Sequence, residues 1–349
     1  MTLLVLVCFA SSTSSSLQPP PPPSVPPEFQ QHPYGGRKPV EVSVGLFITN
    51  LAIVEEAREQ FEAEGYFTLR WRDPRLALPA DSRAPGHLRE FSIGDIWAPG
   101  IEAANLVSHS KGNSLLEVDD DGNVRYTERF DTTISSSYSL RSFPFDRQLL
   151  RFNIEPFLPK ASEIRFADKP ADWTGIDLDL KATSGLAAWK ILDLNYHASE
   201  VAASGPVPDR PRAVFELRVA RRSGFYLWKI LLPMILLAVI PWSVFWYKVQ
   251  DFSGQMSIPL GIMLSLVAFQ FAIARDLPRV GYLTFLDAVF LNSFFFVFLC
   301  LLEITLVYII QAEGRCPLAE RIRGNARWIF PVAYFSTLLF LTVIFLMRG

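Results

Sequence analysis

Cysteine is scarce in this chain and poorly placed for cross-linking. Of 349 residues only three are cysteines, Cys8, Cys300 and Cys316. None falls between Val40 and Arg222, so the polar part of the chain must fold without a disulfide. Histidine is nearly as rare, and His32, His87, His109 and His197 have no ligand-like spacing. No CxxC and no Cys/His cluster offers a metal its donors. No nucleophile–base set and no phosphate-cradling loop stands out, so neither catalytic residues nor a cofactor is expected and the chain does not read as an enzyme. The formal net charge is only −2, which leaves no bulk positive field for nucleic acid.

What is present is unevenly spread. Half of the residues are hydrophobic. From Val40 to Arg222 the chain is mixed and charged, whereas Phe225 to Met347 is dominated by long apolar runs. This pattern predicts a water-exposed domain followed by a membrane domain. Residues 1–17 resemble a signal peptide, with a short apolar run followed by small residues but no basic start. Residues 18–39 read as an extended proline-rich linker, because Pro19 to Pro27 cannot enter the interior of a sheet or helix.

Residues 40–222 alternate. VEVSVGLFI, GYFTLRWRD and RQLLRFNIE each have a period of two. Turn signals separate the runs at Asp73-Pro74, Ala84-Pro85-Gly86, Asp121-Gly122-Asn123 and Phe143-Pro144, and Asp121-Gly122 is a hairpin signal. About ten short strands then predict an immunoglobulin-like β-sandwich. Glu55 to Glu64, rich in Glu and Ala, reads as a turn and the start of a strand. Residues 223–349 predict an all-α bundle of four transmembrane helices, at about 225–247, 256–274, 282–311 and 326–347. Arg315, Arg321, Arg323 and Arg327 lie between the third and fourth spans. The positive-inside rule places that loop in the cytoplasm and both the β-domain and the C-terminus outside the cell (inner) membrane.

The second span is unusual for a helix that faces only lipid. Ser257, Gly261, Leu264, Ala268 and Phe271 follow at steps of four, three, four and three, which puts them on one stripe. Several copies around an axis would make a pore, narrow where Leu264 and Phe271 point inward. The plainer alternative is a membrane helix whose small residues pack against neighbours. Pro259 removes one hydrogen bond of that helix.

Local motifs narrow the reading. FPFD at Phe143–Asp146, followed by Arg147-Gln148, resembles the FPFDxQ signature of the pentameric ligand-gated ion channels, the Cys-loop receptor superfamily. Trp71–Leu76 resembles that family's WxDxxL element. Asp95–Pro99 with Asn105 resembles its WxP element, and Pro233 and Leu277-Pro278 match as well. The family's disulfide would bridge the positions of Ser136 and Leu150, and both cysteines are absent, which points to the prokaryotic branch. Within it the resemblance is greatest to an amine-gated bacterial channel, through the stretches Ser43–Ile48, Gly65-Tyr66, Pro144–Gln148, Glu155–Phe157, Trp242–Trp246 and Leu277–Arg279.

The resemblance implies a homopentamer in membrane lipid, opened by a small extracellular agonist bound between subunits. Carried over residue by residue, it implies an ammonium cradle of Glu102, Glu155, Phe157 and Tyr196. A carboxylate would neutralise the cation and an aromatic face would attract it. The plain alternative for Glu155 is a strand-end carboxylate paired with a nearby arginine. The resemblance also implies a pore lined by Ser257, Gly261, Leu264, Ala268 and Phe271, permeant monovalent cations with Asp251 as the selectivity candidate, and coupling through Asp146, Arg221, Arg222 and Pro278. A pH-gated channel of the same fold and a non-conducting membrane sensor remain as alternatives. The 311–326 link is too short for an output domain.

Overall fold

The computed structural model describes residues 26–55, 58–157, 163–177, 189–202, 209–247, 252–273 and 280–348. The expected signal peptide, Asp251 and Pro278 lie outside the described residues. Among the described residues, eleven strands in two sheets form the first part of the chain, and four long helices form the second.

The alternating stretches become β1 (Val40–Glu55), β2 (Gln60–Arg72), β3 (Leu88–Phe91), β4 (Ile101–Ala103), β5 (Leu106–Asp119) and β6 (Asn123–Ser135). They continue as β7 (Arg147–Pro156), β8 (Ile164–Phe166), β9 (Gly175–Ile176), β10 (Trp189–Val201) and β11 (Arg210–Arg221). The larger sheet runs β3-β5-β6-β2-β1-β8, with β9 also on β1, and the smaller runs β10-β11-β7-β4. Val42, Val44, Leu46 and Ile48 of β1 face Leu150, Phe152 and Ile154 of β7 and Phe215 and Leu217 of β11 across one continuous core. Each such side chain contributes about 1.5–3 kcal/mol by leaving water, which is why the period of two is kept so strictly.

Two glycines are required by geometry. Gly122, in the turn between β5 and β6, has φ +79°, and a Cβ there would meet the Asp73 carbonyl oxygen at 2.5 Å. A Cβ on Gly65 of β2 would lie 2.0 Å from the Phe47 carbonyl oxygen of β1, so only glycine permits this close pairing.

Within the stretch read as an extended proline-rich linker to residue 39, the chain is docked from residue 26 onward. Pro27–Gln30 forms a short 3-10 turn. Its cause lies in Arg75, which Asp73 holds by an ion pair of 2.7 Å. The Arg75 guanidinium donates to the carbonyls of Glu28, Phe29 and Gln31. His32 adds an edge contact to the Trp97 ring at 5.2 Å. The sequence pattern cannot announce such a clamp, because it is made by a residue more than forty positions away.

The four helices are α1 (Gly224–Trp246), α2 (Phe252–Ile273), α3 (Phe285–Ala312) and α4 (Cys316–Arg348). All four are long and apolar enough to cross a membrane. α1 is irregular: a π-helical turn at Leu227–Leu231 precedes Pro233, and a 3-10 stretch at Ile240–Trp246 holds Pro241. Each proline withholds an N–H from the helix ladder, and the turns around it readjust. α3 starts at a reciprocal capping box between Thr284 and Asp287 and is the central, most buried helix. α4 begins at Cys316, well before the expected 326. Arg321, Arg323 and Arg327 are therefore not in a loop but on the first turns of a helix whose inward side is Ala319, Arg323 and Ala326.

Candidate functional site

Three regions carry the residues singled out by sequence. The first is the edge of the smaller sheet, where β4 pairs with β7 and places Glu102 opposite Glu155. Phe157 follows directly; its N–H donates to the Gly100 carbonyl at 2.8 Å and its ring is 66% exposed. Glu155 is not an open carboxylate. It is buried, and both Arg210 and Arg212 of β11 close on it through their Nε groups. Two guanidiniums against one carboxylate leave the cluster with a formal charge of +1 and satisfy the buried oxygens.

Tyr196 is close by but turned inward. Its ring lies 5.0 Å from that of Phe215, and its hydroxyl donates to the Ala167 carbonyl at 2.7 Å. Burial, with Asp168 nearby, pushes this phenol up to about 12. The structure thus brings Glu102, Glu155 and Phe157 together at one edge, whereas the Tyr196 hydroxyl is already committed elsewhere. The expected loop around Gly205-Pro206 and Pro208 lies outside the described residues.

The second region joins the two domains. Asp146 and Arg221 are both essentially buried, with Nε to Oδ1 at 2.7 Å and Nη2 to Oδ2 at 3.1 Å. Gln148 donates to Asp146 Oδ2 at 2.6 Å and to the Ser139 carbonyl at 2.9 Å. The guanidinium carbon of Arg221 also lies 4.2 Å from the Trp189 ring centroid and 4.6 Å from that of Phe143. Arg222, the next residue, is exposed.

The loop from Ser139 to Phe145 then reaches into the helices. The Leu140 N–H donates to the Tyr282 hydroxyl at 2.9 Å, the Ser142 hydroxyl to the Phe345 carbonyl at 3.0 Å, and the Phe285 N–H to the Arg141 carbonyl at 2.9 Å. Leu140 and Phe143 belong to the same apolar cluster as Leu266 of α2 and Phe285 of α3. The motif FPFD is therefore the seat of the β-domain on the helices.

The third region is α2. Ser257, Gly261, Leu264, Ala268 and Phe271 are all exposed in the subunit, with Leu264 at 72% and Phe271 at 71%. Gln255, Pro259 and Leu266 are its buried residues. The Ser257 and Ser265 hydroxyls donate to their own helix, to the Gly254 and Gly261 carbonyls. α4 is also bare: Val332, Phe335, Leu339, Phe340 and Leu346 are exposed and apolar, as lipid contact demands, with Ser336 and Thr337 exposed among them. The bare stripe of α2 mixes serine, glycine and alanine with two large apolar residues.

Residues missed from sequence are those whose partner is distant. Arg210 and Arg212 were not identified as the partners of Glu155. Nor was the buried pair Glu303–Arg323 between α3 and α4, with Nε to Oε1 at 3.7 Å. Glu128 was missed too, although it stands on the inward row of β6 with Val124, Phe130 and Ile134, where an acid is out of pattern. Among the described residues, no group of three or more His, Cys, Asp or Glu side chains could hold a metal ion.

The family model described as neurotransmitter-gated ion-channel ligand binding domain matches residues 28–223. Over 314 residues the chain is 24% identical to a proton-gated ion channel of Gloeobacter violaceus, covering 88% of this chain and 84% of that one. Over 295 residues it is 27% identical to the glycine receptor subunit beta of Rattus norvegicus, and the same holds for that of Homo sapiens. Those alignments cover 82% of this chain and 58% of the receptor subunit, so the chain spans little more than half the length of these relatives.

Proposed function

Because this chain belongs to the neurotransmitter-gated ion-channel family, whose members are channels rather than enzymes, we propose that five copies assemble around an axis with α2 of each lining an ion pathway. The chain is a multi-pass membrane protein with its N-terminal β-domain outside. The observation that carries the pore reading is the bare stripe of α2, which sets Ser257, Gly261 and Ala268 in line with Leu264 and Phe271. Exposed serine and glycine on the same stripe as two large apolar residues suit a helix that faces water in an assembly. Leu264 and Phe271 form the constrictions, and their rings block ions by excluding water.

The agonist is a small molecule bound at the edge carrying Glu102, Glu155 and Phe157, against the neighbouring subunit, with Tyr196 as a supporting residue. A primary amine is the first candidate, following the resemblance to an amine-gated bacterial channel. It must displace Arg210 or Arg212 from Glu155 to reach the carboxylate, or else bind on Phe157 and Glu102 alone. pH gating is the second reading, in line with the proton-gated relative. Monovalent cations are the permeant ions, with Asp251 as the selectivity candidate that the resemblance supplies. Asp146 and Arg221 pass the signal from the β-domain to the helices, and the resemblance adds Arg222 and Pro278 to that route.

The test is membrane current from the full chain challenged with small primary amines and with pH steps. An amine-evoked current lost in Glu155→Ala supports the channel and the amine site together. Current on a pH step alone keeps the channel and overturns the amine. Silence from a surface-expressed pentamer, persisting in Leu264→Ala, moves the reading to a non-conducting sensor.

A further inference from the structure

Between the two sheets, behind the edge that carries Glu102 and Phe157, lies a cavity of about 420 Å³. That volume falls in the range of small-molecule sites. Its floor is core: Leu46, Ile134, Phe152 and Ile154 are each under 5% exposed. Its mouth is open and framed by Glu102, Leu106 and Phe157.

One wall is polar. Glu128 of β6 points into the cavity, with its side chain only 12% exposed. The Tyr126 hydroxyl donates to its Oε2 at 2.6 Å, and the His109 Nε2 lies 3.2 Å from its Oε1. Burial, and then the bond to Glu128, raise the Tyr126 phenol above its ordinary range, so it stays a donor. A carboxylate has about four acceptor positions, and these partners use two of them.

The charge is lopsided. The cavity wall holds two carboxylates, Glu102 and Glu128, and the imidazole of His109, with no lysine or arginine among the described lining residues. Arg125 and Arg129 alternate to the other face of β6, where they meet Glu117 and Glu64. A bulge in β5, between Lys111 and Ser114, keeps His109 and Ser114 both on the cavity side of the sheet although they are an odd number of residues apart.

From the acid in an otherwise apolar, mouth-bearing cavity, we infer a second ligand site within each subunit, one that takes a small organic cation with an apolar body. Its ammonium sits on Glu128, and its chain lies along Phe67, Phe130, Phe152 and Ile134. Anions are rejected by the two carboxylates, and neutral alcohols lose the charge-assisted bond. This site does not depend on the intersubunit agonist reading, although Glu102 and Phe157 border both.

The experiment is equilibrium binding of hexylammonium, 1-hexanol and hexanoate to the purified full chain in lipid nanodiscs, with empty nanodiscs as the reference for partitioning. Hexylammonium is expected to bind saturably, and about 10- to 100-fold tighter than hexanoate, the size of one charge-assisted hydrogen bond. Glu128→Gln is expected to remove that preference, and Ala103→Phe, which fills the cavity and leaves Glu128 in place, to remove saturable binding. Glu155→Gln is expected to leave the order of the three ligands unchanged. Non-saturable uptake of hexylammonium overturns the inference, as does saturable binding that survives Ala103→Phe, or a preference that survives Glu128→Gln. Should Glu128→Gln fail to fold, Ala103→Phe decides alone. If Glu155→Gln is the variant that removes the preference, binding belongs to the intersubunit edge and the cavity site is overturned.

Discussion

Replacing Asp146 by Asn tests whether the joint between the domains is held by charge. The carboxylate and the Arg221 guanidinium are each about 1% exposed, and two nitrogen–oxygen contacts of 2.7 and 3.1 Å join them. Asparagine keeps the shape but leaves a buried cation without its counter-charge. Removing one partner of such a pair typically costs about 3–5 kcal/mol. The aromatic faces of Trp189 and Phe143 hold part of the stranded charge, each by about 0.5–2 kcal/mol, so the lower end of that range is expected. For a domain of this size each kcal/mol moves the melting midpoint by roughly 2–4 °C. Asp146→Asn should then lower the melting temperature of the β-domain by roughly 6–12 °C, followed by tryptophan fluorescence in detergent. Arg221→Met should cost a similar amount, because it strands the carboxylate instead. The double variant should lose clearly less than the sum, since neither charge is then left alone. Additive losses, or a single-variant loss of under about 1 kcal/mol, would refute the claim that these two charges hold each other.

Other consequences are equally open to measurement. The Tyr196 phenol is raised to about 12, so the stability it contributes is fully present below its ordinary value near 10 and is lost as pH rises from there through 12. Absorbance titration of the phenolates should show more than one late-titrating tyrosine, Tyr126 among them, and Tyr196→Phe should remove one of these. Glu303 has neither carboxylate oxygen in a hydrogen bond, and the Arg323 Nε likewise lacks one, so this buried pair is poorly compensated. Glu303→Gln alone should lower the melting temperature, whereas Glu303→Leu with Arg323→Leu should equal the parent or exceed it by about 1–4 kcal/mol. A double variant less stable than Glu303→Gln would count against that account. Arg75→Ala should release the docked segment at residues 27–36 by removing three carbonyl contacts, at a loss of about 2–3 kcal/mol locally. Limited proteolysis should then cut that segment well before the sandwich, and an unchanged pattern would argue against the clamp.

The two-domain plan was legible because it rests on periods and lengths. Val42, Val44, Leu46 and Ile48 alternate inward as a half-buried strand must, and runs of about twenty apolar residues have few other fates than a membrane. The stripe on α2 was legible for the same reason, since residues at steps of three and four share a side whatever surrounds them. Pairings between distant residues were not legible, and the candidate site is made of them. Glu155 reads from sequence as an available carboxylate at the end of a strand. It becomes a compensated one only when β11 lies beside β7 and brings Arg210 and Arg212 across, more than fifty residues further along the chain. Glu128 shows the converse. Its place on the inward row of β6 was visible, but an inward acid signals a site only if there is room in front of it. That room depends on how far the two sheets stand apart at their edge, which no single strand records. An acid out of phase with its strand is thus the cue to look for a cavity, and Glu128→Gln is the substitution that asks whether this one is used.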